Sequence, residues 1–372
     1  MKTTLPINFD QSSYKVIIGN NVAKNVVSLV ESKTKNNKVF IMMDQNLEIY
    51  NWANIIAKPL ANKDYEIHLH FMHGGKGNKT INTVLKLYTY LEEAKFARDS
   101  TMIAVGGGVI GDLVGLVAST WFRGINLIHI PTTLTAMIDS SIGGKVAINF
   151  ENTINAIGNY YHPIGNIIDL NFINTLPERE YLSGMAEIIK CAMISDKHLF
   201  KYIVENVDNI RAREEDAVLH LINKTIQIKV DHVTNDVKEA GKRLLLNYGH
   251  TLGHAVEMTT VKDGQETYRH GEGVAIGMVA VTYIAEKFLG TYQSVGEQLK
   301  HALQLYDLPT CVTSKSWVNN DIYSKCLETV ILDKKRKDNK LRLILADEIG
   351  SADIYDDVPF HLVESAFKQI IK

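Results

Sequence analysis

Apolar positions in the first part of the chain fall in short runs separated by stretches in which they recur at three- and four-residue spacing. The runs Tyr14–Ile18, Val39–Met43, Tyr65–Phe71, Met102–Val105 and Leu127–Ile130 read as strands. Between them, Val84–Phe96 and Leu113–Trp121 have helical amphipathic spacing. This alternation predicts an α/β layer around a mostly parallel sheet, in which ligands bind beyond the carboxyl ends of the strands.

The pattern changes after Pro177. The next proline is Pro309, and the intervening chain carries long periodic stretches, including Ala217–Val233, Leu244–Val256 and Val274–Leu289, which predict helices. The segment Asn174-Thr-Leu-Pro-Glu178 is a helix-start signal with proline in the first turn, so the boundary falls within Asn171–Glu180. A length of 372 residues also favours two domains at about 150 residues each. The expected organisation is an α/β domain with a dinucleotide site over 1–176 and an all-α domain over 177–372, closely packed with a cleft between them.

Charge narrows the choice of partners. Lys and Arg total 40 against 42 for Asp and Glu, and a net charge of -2 gives no global basic field for nucleic acid or an anionic membrane. Any anion is therefore held by a local group of cations. The three cysteines, Cys191, Cys311 and Cys326, show no CxxC spacing, which excludes a disulfide framework and a thiolate zinc site and suits a reducing compartment. No signal-peptide core and no 18-residue apolar run is present, so a soluble cytoplasmic protein is expected.

Three groups of residues carry candidate chemistry. The stretch Ala104-Val-Gly-Gly-Gly-Val-Ile-Gly-Asp112 follows a strand and opens a helix, where glycines let a pyrophosphate approach the helix amino terminus. It contains GxGxxG but lacks the acidic residue about 20 positions later, so Asp44 at the end of Val39–Met43 is the alternative ribose ligand. A plain strand-to-helix turn is the other reading of these glycines. The second group is Asn247-Tyr-Gly-His250-Thr-Leu-Gly-His254 with His270-Gly-Glu272. His250 and His254 at i,i+4 share a helix face and suit Zn²⁺, with Glu187 near Lys190 as a candidate carboxylate; packed or surface histidines remain open. The absence of HExxH argues against a zinc protease. The third is Pro131-Thr-Thr-Leu, then Asp139-Ser-Ser-Ile-Gly-Gly-Lys145 and Asn155, a hydroxyl- and glycine-rich loop of the ligand-contacting kind. Arg123, Lys145, Lys190, Lys229, Arg243 and Lys334-Lys335 are cations available for an anion pocket.

Assembled, these blocks resemble the 3-dehydroquinate synthase family of the sugar phosphate cyclases, from about Asp44 to beyond Lys335, with Leu176-Pro-Glu-Arg-Glu180 and Ala186-Glu-Ile-Ile-Lys190 among the matches. The resemblance implies Zn²⁺ or Co²⁺ on Glu187, His250 and His270, with His254 as acid/base or substrate contact. It implies substrate contacts from Asp139, Lys145, Asn155, Lys190, Lys229, Arg243, Asn247 and Lys335, with Arg123 reaching the phosphate of a neighbouring subunit in a homodimer. NAD would be held by Asp44, Gly75, Lys79, Thr80, Gly107, Gly108, Gly111, Asp112, Thr132, Thr133, Lys145 and Thr175. The implied reaction takes 3-deoxy-D-arabino-heptulosonate 7-phosphate to 3-dehydroquinate and phosphate, a lyase step of the shikimate pathway to aromatic amino acids. It proceeds by transient oxidation, phosphate elimination, reduction and aldol closure, with the metal acidifying the substrate alcohol.

Two positions depart from the family pattern. Gly75-Lys76-Gly-Asn-Lys79-Thr80 has lysine where the family's cofactor loop has a carboxylate, and Thr153-Ile154-Asn155 has isoleucine where the family has lysine. Both fall on the nucleotide set. The alternatives are a cyclase acting on another sugar phosphate, a metal-dependent alcohol dehydrogenase that would accumulate NADH, and a nucleotide-binding protein without activity.

Overall fold

The computed structural model describes residues 2–9, 12–151, 153–262, 265–313, 322–336 and 341–371. It divides into two compact units: 1–176 with 233–238, and 177–232 with 239–372.

In the first unit the elements run β1 (Lys2–Phe9), β2 (Ser12–Gly19), α1 (Val26–Lys33), β3 (Lys38–Asp44), α2 (Trp52–Ala61), β4 (Glu66–Met72), α3 (Ile81–Glu93), β5 (Thr101–Gly106), α4 (Gly108–Thr120) and β6 (Asn126–Pro131). They continue through a π-turn at Ala136–Ser140 to β7 (Lys145–Phe150), β8 (Thr153–Tyr160), β9 (Gly165–Asp169) and α5 (Asn171–Thr175). Among the described residues seven strands form one sheet in the order β1-β2-β9-β6-β5-β3-β4, parallel except for β1 against β2. All five expected strands are present. β3 and β5 are apolar almost throughout because both faces are covered: Val39, Phe40, Ile41, Met43, Met102, Ile103 and Val105 are all fully buried. Each such side chain contributes about 1.5–3 kcal/mol of burial free energy.

The order of connections positions a ligand site. From β3 the chain moves outward to β4, whereas from β5 it moves the other way to β6, so β3 and β5 are neighbours whose connections leave in opposite directions. The crevice beyond their carboxyl ends is a topological switch point. Asp44 ends β3 and Gly106 ends β5. The pattern did not anticipate β1, β9 or the β7–β8 hairpin, which lies outside the main sheet and packs on α4.

The second unit is built on α6 (Glu178–Ser195), α7 (Lys197–Glu205), α8 (Val207–Arg211), α9 (Glu215–Val233), α10 (His250–Thr259), a short β10 (Val261–Lys262) and β11 (Gln265–Glu266), and α11 (His270–Phe288). It closes with α12 (Gln293–Gln304), α13 (Ile322–Arg336), β12 (Leu343–Glu348), β13 (Ser351–Tyr355) and α14 (Phe360–Ile370). It is helical as expected, with two small antiparallel pairs, β10–β11 and β12–β13, added to the helices. The expected helix over Leu244–Val256 is interrupted. Lys242–Asn247 is a 3-10 turn and α10 starts at His250, because Gly249 takes φ 78°, a left-handed conformation that stops the helix ladder. Among the described residues no helix is long and apolar enough to cross a membrane.

Candidate active site

The first unit carries the nucleotide candidates, several of them at the ends of β3 and β5. Gly107 is the N-cap of α4, and among the described residues no side chain caps that helix, so its first N–H groups are free for an anion. A side chain built at Gly107 would meet Thr133, and one at Gly108 would meet Ser140, so the loops after β5 and β6 lie against each other. Thr132 is buried and donates its N–H to Gly106 O at 3.0 Å; Thr133 Oγ1 accepts from Ala136 N–H. Asp44, one strand over, accepts from Asn46 N–H at 3.0 Å and borders Gly74. Gly75 lies in the loop after β4, Thr80 caps α3 by accepting from Thr83 N–H, and Gly111 on the first turn of α4 faces the ring of His129.

Lys79 is nearly buried and carries the electrostatics of this region. Its Nζ lies 2.5 Å from Asp112 Oδ2 and donates to Asn155 Oδ1 at 2.5 Å. Asn155, grouped in the sequence with the substrate residues, therefore accepts with its amide oxygen from Lys79, one of the nucleotide candidates. Asp139 is half-buried on the π-turn, and Lys145 begins β7 and is exposed. Thr175 ends α5, following β9, which stands two strands from β5; its hydroxyl donates to Phe172 O at 3.1 Å. Arg123 is exposed on the turn after α4, at φ 66° and next to Phe122 at φ 48°.

The second unit brings the histidines together. One ring nitrogen from each of His250, His254 and His270 lies within 4.8 Å of the others. Glu187, on the buried face of α6 and 1% exposed, directs Oε1 to within 3.5 Å of His250 Nε2 and 3.2 Å of His270 Nε2. Among the described residues no donor meets Oε1 in hydrogen-bond alignment, while Oε2 lies 2.5 Å from Lys190 Nζ. A buried carboxylate oxygen aimed between two imidazole nitrogens without a hydrogen bond is what a shared cation would satisfy. His254 lies beside this set, its ring centroid 5.3 Å from that of His250 and 5.7 Å from that of His270.

Charge in the cluster has identifiable causes. Burial lowers the His250 pKa to about 3 against the pull of Glu187, so the imidazole is neutral and its lone pair available. Burial also opposes ionisation of Glu187, yet Lys190, His250 and His270 hold its carboxyl well below the usual range. For His270 burial is outweighed by Glu257 and Glu187, and the pKa rises to about 10, so an arriving cation would displace its proton. Lys190, Lys229 and Arg243 are at most 5% exposed. Arg243 and Asn247 lie on the 3-10 turn that packs against α6, and Asn247 Nδ2 donates to Glu239 Oε1 at 2.9 Å. Lys335 falls in α13, with its side chain outside the described residues. Sequence reasoning missed Glu257, whose Oε1 lies 3.2 Å from His270 Nδ1; its position one turn beyond His254 was the available signal.

Comparison with known proteins decides the relationship. The family model for the 3-dehydroquinate synthase N-terminal region matches residues 69–183, and that for the C-terminal region matches 184–336. The chain belongs to the 3-dehydroquinate synthase family. It is 37% identical over 98% of both chains to 3-dehydroquinate synthase of Rippkaea orientalis, and 38% identical to that of Synechocystis sp., covering 98% of this chain and 99% of the relative. Among solved structures it is similar to 2-epi-5-epi-valiolone synthase from Streptomyces hygroscopicus with NAD⁺ and Zn²⁺ bound (25% identity, 98% of both chains, TM-score 0.86). It is also similar to 2-deoxy-scyllo-inosose synthase complexed with carbaglucose-6-phosphate, NAD⁺ and Co²⁺ (25% identity, 99% of this chain and 100% of the other, TM-score 0.85). A probable glycerol dehydrogenase from Sinorhizobium meliloti (14% identity, 100% of this chain and 98% of the other, TM-score 0.60) shares the fold alone. A family member with the 3-dehydroquinate synthase sequence pattern over its whole length thus carries the cluster of Glu187, His250, His254 and His270.

Proposed function

We propose that this chain is a 3-dehydroquinate synthase, a lyase that converts 3-deoxy-D-arabino-heptulosonate 7-phosphate to 3-dehydroquinate and phosphate in the route to aromatic amino acids. The observation that carries the reading is the convergence of His250 and His270 on the unbonded Oε1 of Glu187. Glu187, His250 and His270 would hold Zn²⁺ or Co²⁺, the metals present in the two cyclase structures. When bound, such a cation supplies Lewis acidity toward a substrate hydroxyl.

The residues around the set have complementary tasks. Lys190 neutralises the Glu187 oxygen turned away from the histidines, and His254 stands where an imidazole can exchange a proton with a group held beside the set. In this reading the buried cations Lys229 and Arg243, with Asn247, recognise the carboxylate-bearing, phosphorylated substrate. Asp139, Lys145, Asn155 and Lys335 are kept as substrate contacts on the family resemblance alone. Arg123 meets the phosphate in the partner subunit of a homodimer.

NAD fits the β3/β5 switch point. The uncapped start of α4, including Gly107, Gly108 and Gly111, would take the pyrophosphate, and Asp44 an adenosine ribose. Gly75, Lys79, Thr80, Asp112, Thr132, Thr133, Lys145 and Thr175 complete the cofactor set. NAD supplies a hydride acceptor that is regenerated within each turnover.

Phosphate release from the seven-carbon keto-acid phosphate tests the reading. Phosphate and 3-dehydroquinate should form in equal amounts without net NADH, whereas sedoheptulose 7-phosphate and glucose 6-phosphate should give none. Chelation should abolish turnover and Zn²⁺ or Co²⁺ should restore it. Full activity in protein shown to be metal-free would remove the ligand assignment, and NADH accumulating with product would point to a dehydrogenase.

A further inference from the structure

α10 presents His250, His254 and Glu257 at i, i+4 and i+7, so all three side chains leave the same helix face. The first two belong to the histidine cluster, whereas Glu257 has no part in the ligand and substrate sets above. Its carboxylate is 2% exposed, a depth at which a charge needs a hydrogen-bonded or charged neighbour. Oε1 lies 3.2 Å from Nδ1 of His270, while the other nitrogen of that ring, Nε2, lies 3.2 Å from Glu187 Oε1. An imidazole that gives its Nδ1–H to a carboxylate is fixed in tautomer and in ring orientation, and offers its Nε2 lone pair to a cation.

The backbone around His270 is arranged to keep that contact. Gly273 stands one turn further along α11, and a methyl group there would come within 2.5–3.0 Å of Cγ, Oε1 and Cδ of Glu257. Only a residue without a side chain leaves space for the carboxylate. The start of α11 is held separately by Glu272, which accepts from Arg269 N–H at 2.8 Å and from both sides of the Arg179 fork at 2.7 Å. Glu272 thus holds the backbone that carries His270, and Glu257 holds its ring.

We infer that Glu257 is a positioning residue of the metal centre, fixing His270 so that Nε2 is the nitrogen presented to the cation, an inference that rests on the reading of Glu187, His250 and His270 as ligands. The test is the affinity of the stripped protein for Zn²⁺ and Co²⁺, measured by competition with a chromophoric chelator, and the visible absorption of the Co²⁺-loaded form. Glu257→Ala should weaken binding about 10- to 100-fold and alter the Co²⁺ spectrum. Glu257→Gln, which keeps an acceptor oxygen in the same shape, should recover part of that loss. Gly273→Ala, which leaves both side chains in the sequence but crowds the carboxylate away, should weaken binding too.

Affinities within twofold of the unmodified protein in the folded variants, with unchanged Co²⁺ spectra, would overturn this inference alone. Should Glu257→Ala fail to fold, Glu257→Gln and Gly273→Ala decide between the same two outcomes. An unmodified protein that binds neither cation would overturn the ligand reading and this inference with it.

Discussion

The imidazole of His129, on β6, is 5% exposed, and burial lowers its pKa from 6.5 to about 4. The folded protein keeps the ring neutral while the unfolded chain takes up a proton near pH 6.5. Its contribution to stability is therefore full above pH 6.5 and is lost as the pH falls toward 4, about 3 kcal/mol in all at 1.4 kcal/mol per unit. Denaturant unfolding between pH 7 and 4 should show a shallower loss in His129→Phe than in the unmodified chain; equal pH slopes would exclude this origin. The two departures on the nucleotide set also belong to single residues. Ile154 is half-buried beside Asn155, the amide that Lys79 engages, and Lys76 lies in the loop before Lys79; the Lys76 side chain is outside the described residues. The double variant Lys76→Glu, Ile154→Lys should bind NAD⁺ more tightly than the unmodified chain, and both should prefer NAD⁺ over NADP⁺ because Asp44 would repel a 2′-phosphate. Calorimetric titration decides it, and tighter NADP⁺ binding by the unmodified chain would contradict the placement of Asp44. The positions on the nucleotide set could be picked out in the sequence, but the neutral state of His129 could not, because burial in the folded chain sets it.

At the scale of elements, the junction between the 3-10 turn and α10 is the informative case. Leu244–Val256 has an unbroken helical spacing of apolar residues, yet the chain turns at Gly249 so that Arg243 and Asn247 sit on one element and His250 and His254 on the next. A Cβ at Gly249 would lie 2.7 Å from Met278 Cγ and 2.9 Å from Val274 O, in addition to its left-handed φ. Gly249→Ala should cost about 1–3 kcal/mol or more in stability and lower metal retention, measured by thermal unfolding and by bound Zn²⁺. Unchanged values for both would show that the junction tolerates a continuous helix. Strands β3, β5 and β6 were legible as continuous apolar runs because both faces are covered. The β7–β8 hairpin was not, since its outward residues Phe150, Ile157 and Tyr160 are exposed and its pairing is not a matter of local spacing.

At the scale of the whole molecule, the proposed homodimer makes a claim that single-chain geometry does not contain. Phe122 and Arg123, successive non-glycine residues in left-handed conformation, hold the Arg123 side chain outward on a turn that costs about 1–3 kcal/mol per strained residue. If Arg123 serves the partner's phosphate, Arg123→Ala and Lys145→Ala should each be inactive alone and regain about a quarter of the sites when mixed, by random pairing in a two-fold dimer. A demonstrated mixed dimer without recovery would count against the shared site. Local sequence alone determined the strand runs, the glycine turn after β5, the i,i+4 histidines and the start of α6 near Pro177, because each depends on side-chain periodicity or backbone preference within a few residues. Tertiary structure decided the rest: the placement of Asp44 beside Gly106 by strand order, the return of 233–238 to the first unit, the Lys79–Asp112–Asn155 contacts, and the meeting of Glu187 and Glu257 with His270. These join residues far apart in the chain or on different elements, and their geometry is fixed by how helices and strands bury their apolar faces, which spacing along one segment does not encode.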